Sequence, residues 1–193
     1  MSGKDVLQDY VSDMLGLEKH IDGVIARQAT DDRMRAYAQA HDLVMRISST
    51  LKKHQAILEN ALGSVGGESA KSVLKRVTAS ITGMAANLYD KARSTDPVSR
   101  NLRDNYTALN MAAISYTMLH TTALALKERS IADLAVRHLE DLTPLIMELS
   151  EVIPDIVARE LASEDKAIDP SVGREALDNT QKAWVKGVEK GRI

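Results

Sequence analysis

The sequence predicts an all-α protein: a four-helix bundle made of two antiparallel hairpins, with an additional connecting helix and a C-terminal tail. Three observations carry that expectation. Apolar residues recur along almost the whole chain at the helical period of about 3.6 residues. Phe is absent and the aromatics are one Trp and five Tyr, so the core must be filled by Leu, Ile, Val, Ala and Met, the side chains of helix–helix packing. Two of the breaks between periodic stretches are only a few residues long, which forces the helices on either side into antiparallel pairs.

The first helix is expected over about Lys4 to Gln28, with a stripe of Leu7, Tyr10, Met14, Leu17, Ile21 and Val24. Thr30, Asp31 and Asp32 break the pattern and can cap the next helix. That second helix, from about Asp32 to Leu62, carries Tyr37, Ala40, Val44, Ile47, Leu51, His54 and Leu58 and should stop at Gly63 to Gly67, because glycines favour helix ends. A third, from about Glu68 to Arg93, has Ala70, Leu74, Val77, Ile81, Met84 and Leu88. Asp96 and Pro97 then read as N-cap and first residue of a fourth helix that runs to about Lys127 through Leu102, Tyr106, Leu109, Ala113, Tyr116, His120 and Ala123.

Ser130 to Asp133 has the form of a capping box with Asp in place of Glu. It opens a fifth helix with the cleanest stripe: Ile131, Ala135, His138, Leu142, Leu145, Leu149, Val152 and Ile156. Pro144 and Pro154 lie inside it, and each should bend or interrupt it by removing a backbone hydrogen bond. After Glu164 the pattern fails. Residues 1–164 therefore read as the bundle, and 165–193 as a tail that packs by Trp184 or engages a partner.

The totals exclude several functions. A chain of 193 residues suits a single core, and a net charge of −2 offers no general positive field for nucleic acid or anionic lipid. The absence of Cys removes disulfides, thiolate metal sites and thiol catalysis together. No stretch approaches the roughly 18 apolar residues of a membrane helix, and the N-terminus lacks the apolar run of a signal peptide. The expectation is a cytoplasmic protein with no nucleic-acid and no membrane partner.

Asp9 to Glu18, Asp104 to Leu109 and Leu139 to Leu142 carry a resemblance to the ferritin-like superfamily, and within it to small bacterial stress-associated ferritin-like proteins of unknown function. The resemblance covers about Val6 to Leu161 and implies a ferritin-like bundle with a link to stress. A di-iron member would need inward Glu residues from two helices and Glu-x-x-His from the other two, since four carboxylates balance two cations and two imidazoles complete the coordination. That motif is absent: Glu18 is followed at the third position by Ile21, Glu59 by Leu62, Glu140 by Thr143 and Glu148 by Glu151. Ferroxidase, oxygenase and iron-storage chemistry lose their usual site with it.

Five histidines remain. With the turn between the fourth and fifth helices centred near residue 129, His120 and His138 stand level on apolar stripes. His41 stands level with His20 near Glu18 and Asp42. The metal reading is a non-standard site for iron or another divalent transition metal, using Glu18, His120, His138 and Glu140, with Asp141 as a further candidate. The plainer reading makes these hydrogen-bonded core histidines paired with Tyr106, Tyr116 or each other. His54, on the buried stripe, is out of reach of any phosphodonor. The sequence favours a non-catalytic structural or partner-binding bundle without a cofactor, as a homodimer or with a protein partner. The metal-binding or redox protein is its competitor.

Overall fold

The computed structural model describes residues 3–65 and 97–191, with the side chain of residue 65 excepted, and these are helical almost throughout. Six helices are defined among them: α1 (Gly3–Ala29), α2 (Asp32–Arg35), α3 (Ala38–Val65), α4 (Val98–Ala125), α5 (Arg129–Glu164) and α6 (Val172–Lys190). No strand occurs among the described residues. The third helix expected over Glu68 to Arg93 and the proposed Asp96 cap lie outside them.

Four long helices make the bundle, with α1–α3, α4–α5, α1–α4 and α3–α5 as its sides. Each side is antiparallel, as side-chain pairs at different heights show. His41 reaches the Ala29 carbonyl and Ser48 reaches Asp22 across α1–α3. Arg46 pairs with Glu148 and His54 with Asp141 across α3–α5. Asn105 donates to Gln28 at 2.6 Å across α1–α4, a buried amide pair that fixes the register there. Since α3 and α4 both run against α1, they run parallel to each other, and Val65 and Pro97 stand at opposite ends of the bundle. No helix among the described residues is long and apolar enough to cross a membrane.

The local chemistry departs from expectation in instructive places. Asp31 does cap the chain after α1, its carboxylate accepting from the Arg33 N–H. That cap starts only one turn of helix, whose Met34 is fully buried, before the chain kinks at Ala36 and Tyr37 and α3 begins. α3 runs through Gly63 to Val65, inside the Gly63 to Gly67 stretch expected to end it. Pro97 is the N-cap of α4 rather than its first residue, and an open N–H there, on Ser99, is taken by Glu160 of α5. Ser130 makes no cap for α5, which begins earlier, at Arg129 behind Glu128. Pro144 and Pro154 sit inside an unbroken α5. Pro144 is on the exposed face, where the carbonyl it orphans is open to solvent.

The α4–α5 turn closes through Lys127 at φ 62°, the left-handed region, with the Glu128 N–H bonded to the Ala123 carbonyl. Glycine is the usual residue there. Left-handed backbone costs a side-chain-bearing residue roughly 1–2 kcal/mol, partly offset by the greater unfolded freedom of glycine. Lys127→Gly is expected to stabilise the protein by up to about 1 kcal/mol, read as a higher urea midpoint at unchanged slope.

The tail is mostly helix. Gly173, the only buried residue of α6, seats it against α5: a Cβ there would fall 2.9 Å from the Asp155 Cα and the Pro154 carbonyl oxygen. Trp184 does not do this work and is 46% exposed.

A buried carboxylate, two imidazoles and a phenol

At mid-height, each of the four bundle helices contributes one inward polar side chain: Glu18 from α1, His54 from α3, Tyr116 from α4 and His138 from α5. All four are at most 2% exposed. Glu18 is the only fully buried carboxylate among the described residues. Each sits on its helix's apolar stripe, so the hydrophobic packing that builds the core also carries these polar groups into it.

The hydrogen bonds run in sequence. Asp141, at the solvent edge with its side chain 62% exposed, accepts from His54 Nε2 at 3.1 Å. His54 Nδ1 donates to Glu18 Oε1 at 3.0 Å, and the Tyr116 hydroxyl donates to the same oxygen at 2.7 Å. His138 Nδ1 lies 2.7 Å from the Tyr116 oxygen. The His54 and His138 rings stack 3.7 Å apart and 4° from parallel, with Tyr116 edge-on to both.

Proton accounting assigns the protonation states. Burial and the adjacent Glu18 charge push Tyr116 far above the ordinary phenol range, so it stays a phenol. Its one proton is committed to Glu18, so its oxygen can only accept, and His138 must donate from Nδ1. Burial, with the charge of His54 beside it, lowers His138 to about 3. His138 is therefore neutral, and its Nε2 carries a lone pair that has no partner. Both nitrogens of His54 face carboxylates. Burial alone would lower its pKa, but the hydrogen bonds and charges of Glu18 and Asp141 outweigh that and raise it. Burial raises Glu18 above the usual carboxylate range, and the hydrogen bonds from His54 and Tyr116 and the charge of His54 oppose that rise by favouring its carboxylate form. Glu18 Oε2 is buried with no partner.

Two acceptor atoms, Glu18 Oε2 and His138 Nε2, thus lie buried without a protein partner in one cluster, and an unsatisfied buried polar atom is costly. One ligand atom each from Glu18, His54 and His138 can be chosen so that all lie within 4.8 Å of one another, a spacing that admits one metal ion. The outer partners are already in place. Asp141 would hold His54 by Nε2 and free Nδ1 for a cation, while Tyr116 holds His138 by Nδ1 and leaves Nε2 bare. Such a second hydrogen bond fixes the tautomer of a metal-binding histidine.

Of the residues singled out from sequence, Glu18 and His138 come together here. His120 does not join them; its Nδ1 bonds the Ala132 carbonyl at the hairpin end. Glu140 points to solvent on α5. His41 bonds the Ala29 carbonyl across α1–α3. The Tyr116–His138 bond is one of the pairings the plainer reading offered, and His54 is the member that reading passed over.

Because His138 stays neutral down to about 3 when folded and takes a proton near 6.5 when unfolded, the unfolded chain binds an extra proton between those values. This residue's contribution therefore falls as pH drops from 6.5 towards 3. His138→Phe keeps the stack and loses the titration. In chelator-treated protein its stability deficit against wild type should shrink between pH 7 and about pH 4.5, measured by urea unfolding at each pH.

Comparison with protein families, curated proteins and solved structures finds no match to this chain.

Proposed function

We propose that this chain is a ferritin-like bundle that binds one divalent transition-metal ion through Glu18, His54 and His138, in place of a di-iron pair. The observation that carries the reading is that Glu18 Oε2 and His138 Nε2 have no partner, in a cluster where one ligand atom each from Glu18, His54 and His138 lie within 4.8 Å of one another. The ferritin-like part rests on two antiparallel hairpins whose inner helices, α3 and α4, run parallel. Two imidazoles and one carboxylate suit zinc, iron, manganese or cobalt. Three protein ligands leave a coordination position for water or a small substrate, the arrangement found in catalytic rather than structural zinc sites.

A second reading has its own support. The near-parallel ring stack is the geometry of a packed core, and both imidazoles would have to turn out of it to meet one ion edge-on. On that reading the network is a metal-free device that pins four helices in register, and the protein acts as a structural or partner-binding bundle.

Titration with cobalt(II) and zinc(II) of protein purified without chelators separates the two. One equivalent bound, with visible cobalt bands that vanish in Glu18→Gln and His138→Phe while helicity is kept, supports the metal site. No stoichiometric binding of zinc, cobalt, manganese or iron(II) overturns it and leaves the structural reading.

A further inference from the structure

From Asn105 to Leu126, almost the whole of α4, the chain holds no Asp, Glu, Lys or Arg. A helix at the surface normally carries charge on its outer side. Its neighbours do: Asp9, Asp13, Lys19 and Arg27 stand exposed on α1, and Asp42, Arg46, Lys52 and Lys53 on α3. α4 instead turns outward Thr107, Asn110, Ile114, Met118 and Thr121, which fall on one helical face. Ile114 is 59% exposed there and Met118 50%. The side of α5 next to α4 adds Val136, Thr143, Met147 and Ser150 and no charge. The charged residues of α5 from Asp133 to Glu151 lie on its other side, where Asp141 and Glu148 reach α3.

The polar side chains of this face need no water. The hydroxyls of Thr107, Thr117, Thr121 and Thr143 each donate to the carbonyl four residues earlier. The Asn110 amide donates to the Tyr106 carbonyl in the same way, at 2.8 Å. Donors already spent inside their own helix can be dehydrated without being orphaned. Covering the face therefore removes Ile, Met, Val and Thr methyl surface from water at little polar cost.

The chemistry of the face selects its occupant. A charged partner finds nothing here to pair with. A two-fold axis, by contrast, sets each residue near it against its own counterpart, where any charge would meet its like. An uncharged face carrying methionines has the composition of a homodimer interface. Its size agrees. At about 1.5 Å per residue the uncharged part of α4 is roughly 30 Å long, and two helices about 8–10 Å apart make a face roughly 20 Å wide. That is roughly 600 Å² in projection and more in accessible surface, near the roughly 800 Å² each partner gives to a standard interface.

From this we infer that two copies of the chain associate through the outer face of the α4–α5 hairpin, α4 lying antiparallel on α4 of the other copy. Ile114 and Met118, at the middle of the uncharged stretch, lie at the two-fold axis, and Met147 of α5 closes the flank. Tyr116 is on the opposite side of α4, so this inference and the metal site stand or fall separately.

Sedimentation equilibrium of the full chain tests it. Wild type should be a reversible dimer. Ile114→Lys with Met118→Lys should weaken association on the order of a hundredfold, with the bundle's helicity and melting unchanged, because both side chains are exposed in the single chain. Ile57→Lys, an exposed apolar residue on α3, should leave the dimer intact. Mixing the double Lys variant with Ile114→Asp, Met118→Asp protein should restore a dimer that neither forms alone. A monomeric wild type overturns the inference, as does a dimer that survives the double Lys substitution. Failure of the Lys and Asp variants to pair also overturns it. So does a loss of melting temperature in a monomeric double Lys variant, which would mean that the same chain covers this face.

Discussion

Glu18→Ala is expected to destabilise the metal-free protein by about 3–5 kcal/mol, the usual cost of removing one partner of a buried ion pair. Three consequences add up at this position. The His54 imidazolium loses the carboxylate at 3.0 Å and keeps only the solvent-edge Asp141. The Tyr116 hydroxyl loses its acceptor at 2.7 Å and is left buried. A fully enclosed side chain is deleted, leaving a space that the neighbouring helices can only partly close. Glu18→Gln keeps the volume and still accepts from Tyr116, so it should cost less, about 1–3 kcal/mol. The ordering matters as much as the size: Ala worse than Gln, both worse than wild type, by urea unfolding with chelator present. A Glu18→Ala protein within about 1 kcal/mol of wild type would mean that His54 sheds its proton freely and that no ion pair exists there.

The sequence made the helices legible because each stripe is long and regular, and it put His138 on such a stripe, while Glu18 entered only as a candidate ligand off the stripe read for its helix. What it obscured was which residues share a level, and the reason is turn geometry. An antiparallel hairpin pairs residues equidistant from its midpoint. The observed pairs in the first hairpin, Ala29 with His41, Ser48 with Asp22 and His54 with Glu18, centre on residues 35 to 36. His41 therefore belongs with Ala29, and Glu18 with His54. In the second hairpin, Tyr116 with His138 and His120 with Ala132 centre on residues 126 to 127. A midpoint near 129, taken from the apparent capping box at Ser130, sets His120 opposite His138 instead. The displacement of two to three residues comes from Lys127, which adopts a left-handed conformation that a lysine does not advertise. Two residues along a helix is more than half a turn, enough to exchange the partner of every polar side chain in the core. The long stretch between Val65 and Pro97 hid the other half of the answer, since no midpoint relates α3 to α4, and His54 meets Tyr116 and His138 only through that connection.

Metal binding, if it uses these ligands, must show itself in stability and in pH together. A cation that binds the folded chain alone stabilises it by about 2.7 kcal/mol at a hundredfold excess over its dissociation constant and about 4.1 at a thousandfold. To bind, it has to take Nδ1 of His54, whose proton now bridges to Glu18, so each ion bound expels one proton. Because Glu18 and Asp141 raise the His54 pKa, the proton competes from a higher pH than an ordinary histidine would allow. Below that pKa, affinity should fall about tenfold per pH unit, removing about 1.4 kcal/mol of the stabilisation each time. Zinc should therefore raise the urea midpoint strongly at pH 8, less at pH 7 and least at pH 6, with chelator reversing the gain at every pH. His54→Phe removes both the ligand and the competing proton, and its midpoint should be indifferent to zinc at all three. A gain that is flat with pH, or that survives in His54→Phe, would place the cation on exposed carboxylates elsewhere, because only the buried cluster couples one ion to one proton.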